Sequence, residues 1–251
     1  MRPQLQPVQV ALKQINFEDA SYCLTPWSTS PLPETLAQSI ARAGILHPPL
    51  LKASALNSFQ IIAGRKRLQG VKQVLNGSRC LCLVLPLEAP AFAALLLSLE
   101  ETLSARPLTP VERSVFLHKA RRLLGEGQVA QYVPLLGLPP HTALADQLRL
   151  LNLEEPLLEA LHAGTLAEQV GWQFAGFPFT DRMALFELFE FLDLDVGAQQ
   201  QLLASCLARA KQKNSSIFEL LADQRVREII ERPGTDLQEK NARLLAWLGR
   251  D

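Results

Sequence analysis

The stretch Ser58–Leu75, SFQIIAGRKRLQGVKQVL, decides the fold of the front of the chain. A short apolar run, Phe59 to Ala63, reads as a strand and ends at Gly64. The chain turns there into a basic helix whose first turn holds Arg65, Lys66 and Arg67. The turn dipeptide Asn76-Gly77 closes that helix. Working outward, ILHPPLLKAS (Ile45–Ser54) is a strand approached through two prolines, and RCLCLVLPL (Arg79–Leu87) is a third strand. Upstream, a helix begins after Pro33, lines up Leu36, Ile40 and Ala43 on one face, and stops at Gly44. Helix, strand, strand, helix, strand within about sixty residues makes a small α/β module. The Pro- and Gln-rich residues before it read as an extended lead-in.

Strand signals vanish after residue 90. PAFAALLLSLEETL (Pro90–Leu103) and TPVERSVFLHKARRLLGEG (Thr109–Gly127) are helices. In the second, Thr109 is placed to cap, Pro110 takes the first helical position and Glu112 has capping-box spacing. Two short helical segments flank Gly137. Beyond Pro178, apolar residues at three- and four-residue spacing predict helices over about 180–193, 197–212, 215–231 and 235–249, a bundle. The aromatic stretch Trp172–Leu192 has the same spacing and reads as core, with a partner surface as the alternative. The expected class is α+β. An extended lead-in (1–33) precedes an α/β domain (34–89), a helical domain (90–175) and a C-terminal helical bundle (176–251).

Hydrophobic residues make up 48% of the 251, enough for packed cores, and the net charge is zero. The four cysteines are too few and scattered for a disulfide framework. Cys80 and Cys82 share one face of a strand, a poor zinc geometry on their own. The longest apolar run, Ala89–Leu97, is too short for a membrane span and the start of the chain lacks a signal pattern, so a cytoplasmic setting without membrane is expected. Residues 1–100 carry nine Lys and Arg against five Asp and Glu, which puts the positive charge at the front.

A strand ending in glycine before a basic helical turn suits an anion. Free N–H groups at a helix start point at the ligand, glycine lets a phosphate approach the backbone, and Arg67 can fork onto phosphate oxygens. The competing reading is a solvated basic turn with no ligand.

Segments in a fixed order carry a family resemblance. LAQSIARAGILHPPLL (Leu36–Leu51), FQIIAGRKRLQGVKQVL (Phe59–Leu75) and LCLVL (Leu81–Leu85) resemble the N-terminal domain of ParB partition proteins. LSLEETLSARPLTPVE (Leu97–Glu112) is similar to that family's Glu-Asn-Xaa-Gln-Arg segment and the Leu-Asn-Pro-Xaa-Glu after it. LRLLNLEEPLLEALHAGTL (Leu148–Leu166) is similar to the end of its helix-turn-helix and the segment beyond. The match covers about residues 34–170. The small α/β module is also shared with sulfiredoxins, but their catalytic cysteine is missing from the Gly64 turn.

The resemblance implies a CTP site, with Mg2+, built from Gly44, His47, Pro48, Gly64, Arg65, Lys66, Arg67, Glu101, Thr102 and Arg106. The motif has drifted: Arg65 stands for a glutamate, Lys66 for an arginine and His47 for a frequent glutamine. Thr102, Ser104 and Ala105 stand where the family has asparagine, glutamine and arginine, with Arg106 one position late. Weak or absent CTP turnover is the expectation. The resemblance also implies DNA binding, through phosphates at Lys119, Arg121 and Arg122 and base edges at His141, Thr142, Gln147 and Arg149. The three basic residues read equally well as an exposed amphipathic face. Implied partners are DNA, a ParA-type ATPase and a second copy in a homodimer. Expected roles are partition or transcriptional regulation, against a module of the same fold that binds a ligand or a protein and has lost specific DNA reading.

Overall fold

The computed structural model describes residues 4–25, 31–55, 57–138 and 143–249. It divides into two compact units, Met1–Leu108 with Glu112–Leu144, and Thr109–Val111 with Ala145–Asp251.

In the first unit, strands β1 (Gln6–Ala11) and β2 (Ile15–Asn16) come before α1 (Glu34–Ala43). Next come β3 (Leu50–Ala55), β4 (Ser58–Ala63), α2 (Arg65–Gln73) and β5 (Arg79–Leu85). The strands form one sheet in the order β1-β5-β3-β4-β2. β1 runs antiparallel to β5, β5 parallel to β3, β3 antiparallel to β4 and β4 parallel to β2. Val10, Leu51, Ile61, Leu68, Val71, Cys82 and Val84 fill the core between sheet and helices. α1 packs on α2 at Gly70, where a Cβ would meet Ile40 Cδ1 at 2.3 Å, so the close approach needs glycine despite its helical cost. Helices α3 (Ala91–Ala105), α4 (Pro110–Leu124) and α5 (Glu126–Val129) continue the chain. Tyr132 meets Phe92 edge-on, with ring centroids 5.0 Å apart.

In the second unit, α6 (Leu144–Arg149), α7 (Glu155–Ala163) and α8 (Glu168–Phe174) lead into α9 (Phe179–Phe191) and α10 (Val196–Lys213). α11 (Ile217–Leu221), α12 (Gln224–Glu231) and α13 (Leu237–Leu248) complete it. Leu157, Leu161, Phe174, Leu185, Leu202, Cys206, Val226 and Leu244 are buried, and Phe174 stacks on Phe189 with centroids 5.9 Å apart.

Four expectations change. Residues 6–16 are not a mere lead-in: Val8 and Val10 alternate toward the core, and β1 adds an outer strand to the sheet. The helical block 90–175 is divided between the two units near residue 144. The helix expected over 215–231 breaks at Asp223, whose carboxylate accepts the Arg225 N–H and so starts α12. The aromatic stretch is core only in part, since Phe174, Phe186 and Phe189 are buried while Phe179 and Phe191 are exposed. Of the turn of the expected helix-turn-helix, Gly137 is described at φ +72°, whereas Pro139 and Pro140, with His141 and Thr142, lie outside the described residues. Among the described residues no helix is long and apolar enough to cross a membrane.

Candidate functional site

β4 delivers the chain to Gly64, which sits at φ +89° and begins α2 without a side-chain cap. That backbone region is strained for residues with a Cβ, and a Cβ here would meet Arg67 Nε at 2.9 Å and Pro49 Cβ at 3.0 Å. The Arg67 guanidinium therefore lies over the space that glycine leaves. Its Nη1 donates to the His47 carbonyl at 2.9 Å, and its Nη2 donates to Glu101 Oε1 at 2.5 Å. Three segments thus converge: the loop before β3, the first turn of α2, and the last turns of α3. Gly44, at φ +69°, ends α1 and turns the chain toward that loop. Pro48 is half-buried beside it and the His47 residue is exposed.

Other residues assigned to the site by sequence point elsewhere. Arg65 donates to the carbonyls of Phe17 and, at 2.6 Å, of Asp19. Lys66 Nζ donates to the Pro31 carbonyl at 2.9 Å, and burial beside Arg65 pushes its ammonium below the usual lysine range. The Thr102 hydroxyl donates back to the Ser98 carbonyl at 2.9 Å within α3. Arg106, one position after Ala105, forks onto buried Glu112 at 2.6 and 2.7 Å. Glu112, which stands at capping-box spacing from Thr109, is the other half of that fork.

The DNA assignments fare unevenly. Lys119 Nζ donates to the carbonyls of Ala20 at 2.5 Å and Cys23 at 2.6 Å, and burial lowers its pKa. Lys119 therefore holds a strap of chain, residues 17–23, instead of facing a phosphate. Arg65 holds the same strap, and Gln60 joins them by donating to Asp19 Oδ2 at 2.7 Å. Arg121 is half-buried and Arg122 is exposed on α4. In the second unit Gln147 is 1% exposed with a buried, unpartnered Oε1, so it does not present its amide to a base edge. Arg149 is exposed and lies 3.8 Å from Asp146.

Sequence reasoning missed the strap because its acceptors are backbone carbonyls, which no residue type announces. It also missed how the charge divides. The first unit holds fourteen Lys and Arg against eight Asp and Glu, and the second holds eleven against seventeen. Among the described residues no group of three or more His, Cys, Asp or Glu is placed to hold a metal.

No family model matches the chain. It is 28% identical over 167 residues to the probable chromosome 1-partitioning protein ParB of Deinococcus radiodurans, covering 66% of this chain and 56% of that protein. It is 32% identical over 136 residues to the nucleoid occlusion protein of a Geobacillus species, covering 54% of this chain and 47% of that protein. The chain thus spans about half the length of these curated relatives. Two solved structures of C-terminally truncated ParB from Caulobacter crescentus align at 18% identity. The complex with CTP-γ-S has a TM-score of 0.33, with 68% of this chain and 93% of that one covered. The complex with the centromeric parS site has a TM-score of 0.41, with 76% and 96% covered. A Pnob8-like ParB-N domain aligns at 13% identity and a TM-score of 0.41, covering 96% and 98%. At such scores the relationship rests on sequence alone. By these two sequence matches the chain is similar to ParB-like partition and nucleoid occlusion proteins over about half of their length.

Proposed function

We propose that the chain binds a nucleoside triphosphate, CTP by analogy with its relatives, at Gly64–Arg67 and contacts DNA through the positive first unit. The observation that carries this reading is the convergence of Gly64, Arg67, the His47 carbonyl and Glu101 at the uncapped start of α2. Backbone N–H groups and a guanidinium in one place suit phosphate oxygens. Glu101 orients Arg67 in the free protein, and Mg2+ bound with the triphosphate would take its ligands chiefly from phosphate and water. Turnover is absent or very slow in this reading, because Thr102 and Arg106 are engaged with Ser98 and Glu112.

Calorimetric titration with CTP and Mg2+ tests the site. Arg67→Ala is expected to weaken binding by about 1.5–3 kcal/mol, the range for a hydrogen bond to a charged group. Equal affinity in the two proteins would overturn the assignment. For DNA, phosphates supply the affinity, at Arg121 and Arg122 but not at Lys119. Replacing both arginines by alanine should flatten the slope of log affinity against log salt by about 0.9 for each phosphate lost, alike on unrelated duplexes. A homodimer and a ParA-type ATPase partner belong to the partition form of this role, and DNA without that ATPase to the regulatory form.

The burial of Gln147 favours a second reading, a ParB-like module that binds ligand or protein without reading a DNA sequence. Selection from random duplexes separates the two. Enrichment of a consensus supports partition or regulation, and no binding even at low salt supports the module.

A further inference from the structure

A groove of about 680 Å3 lies in the first unit, away from the Gly64 turn and at the other end of α2. One wall is the corner between β1 and β2, Ala11–Phe17, and the other is the loop from α2 into β5, Gly77–Arg79. Leu12 N–H donates to the Ser78 carbonyl at 2.9 Å and ties the walls together at the base. Leu12 and Ile15 are buried beneath it, and Phe17 adds a half-buried ring. Lys13, Lys72 and Arg79 stand on the rim with Ser78, and neither Asp nor Glu lines the groove.

These cations differ from those at the Gly64 end. Arg65 and Lys66 are bound to carbonyls of the chain and Arg67 to Glu101. Lys13 and Lys72 are exposed and make no hydrogen bond or ion pair among the described residues. Arg79 is held in place by one bond, Nη2 to the Gln9 carbonyl at 2.8 Å, which leaves most of its donors for another acceptor. The carboxyl end of α2 repels anions weakly, so anion binding here falls to the side chains.

We propose that this groove is a second anion site, taking a mononucleotide-sized phosphorylated ligand whose flat ring lies on Leu12, Ile15 and Phe17. The volume falls within the ~300–1,000 Å3 usual for small-molecule pockets, and an apolar floor under a few fixed charges is their usual lining. A duplex would present only phosphates and leave the floor unused. The ligand's phosphate meets Lys72, Lys13 and Arg79, and the Ser78 hydroxyl completes the rim.

The test is calorimetry with ADP, CTP and inorganic pyrophosphate on wild type, Arg67→Ala, the Lys13→Ala/Lys72→Ala double variant and the protein carrying all three changes. Removing exposed lysines leaves the fold intact, which a thermal melt checks. Nucleotide binding that persists in Arg67→Ala and weakens at least ten-fold when the two lysine changes are added supports the site. Pyrophosphate should bind more weakly than either nucleotide, because it leaves the floor bare. Complete loss of nucleotide in Arg67→Ala alone, or unchanged affinity in the double variant on that background, would overturn the proposal. So would a double variant that loses duplex binding while keeping its nucleotides, because the groove would then be a nucleic-acid contact. Failure of the Gly64 reading shows instead as wild-type nucleotide affinity in Arg67→Ala.

Discussion

In the first unit Lys52, Arg65 and Lys119 donate to backbone carbonyls, whereas in the second Arg182, Lys213 and Arg243 face Glu154, Asp223 and Glu239. A carbonyl replaces water around a cation but leaves its charge in place, and a carboxylate cancels it. Helix starts differ in the same sense. α10, α11, α12 and α13 begin with Asp195, Ser216, Asp223 and Asp236 accepting first-turn N–H groups. α1, α2 and α3 begin after Pro33, Gly64 and Pro90 with no side-chain cap. α7, α8 and α9 also start uncapped, and the first unit has carboxylate pairs of its own at Arg67–Glu101 and Arg106–Glu112, so the contrast lies in the last four helices and in the balance of charge. Zero net charge in the whole chain hides two units of opposite sign, the first positive and the second negative.

The largest effect expected separates the units by melting. Phe174→Ala empties a fully buried position and should cost about 3–5 kcal/mol, lowering the melting of the second unit while leaving the first in place. A single transition that moves as a whole would show that the units unfold together. Next, Glu112→Ala removes a 1%-exposed carboxylate and the fork on Arg106, and is expected to cost about 1–3 kcal/mol in denaturant unfolding of the first unit. Asp195→Ala deletes a cap that accepts the Ala198 N–H at 2.8 Å and should cost about 0.5–2 kcal/mol, with Asp195→Ser restoring most of it.

The smallest effect is one of pH. Burial, and then the charges of Arg121, Arg122 and Lys119, push the pKa of His118 below its ordinary 6.5. The unfolded chain then binds the proton more readily, so this contribution to stability is full above about pH 6.5 and is lost as the pH falls below it. His118→Gln should flatten that part of the stability profile of the first unit and leave the second unchanged. An unaltered slope would remove His118 from the electrostatics of α4.

Much of this was legible in the sequence. Gly44, Gly64 and Asn76-Gly77 punctuate the chain where α1 ends, α2 begins and α2 ends. The apolar runs between them become β3, β4 and β5, because burial and turn chemistry act locally there. β1 was masked by its Pro and Gln, although Val8 and Val10 alternate as a strand should. The site was half legible: the Gly64–Arg67 pairing comes from one turn of helix, and its junction with Glu101 came from motif order. The engagement of Arg65, Lys119 and Arg106 was not legible, because their partners come from the tertiary fold or from backbone atoms. Gln147 was hidden for the same reason, since its residue type suits a base edge as well as a buried turn.

The strap that Arg65, Gln60 and Lys119 hold has a kinetic consequence. The contact between Lys119 and Ala20 joins residues 99 apart in sequence, so making it closes a very long loop around the sheet and helices. Closing such a loop carries an entropic penalty that grows as roughly (3/2)RT ln n and is recovered only once the elements between are in place. Docking of residues 17–23 is therefore expected to follow formation of those elements, and once docked the strap is held by buried Tyr22 and Leu24 as well as by its hydrogen bonds. Each opening of the strap exposes a guanidinium and an ammonium together, so the first unit's charge toward solvent rises in a step on the timescale of local unfolding. Amide exchange across residues 17–25 would give the frequency of those steps.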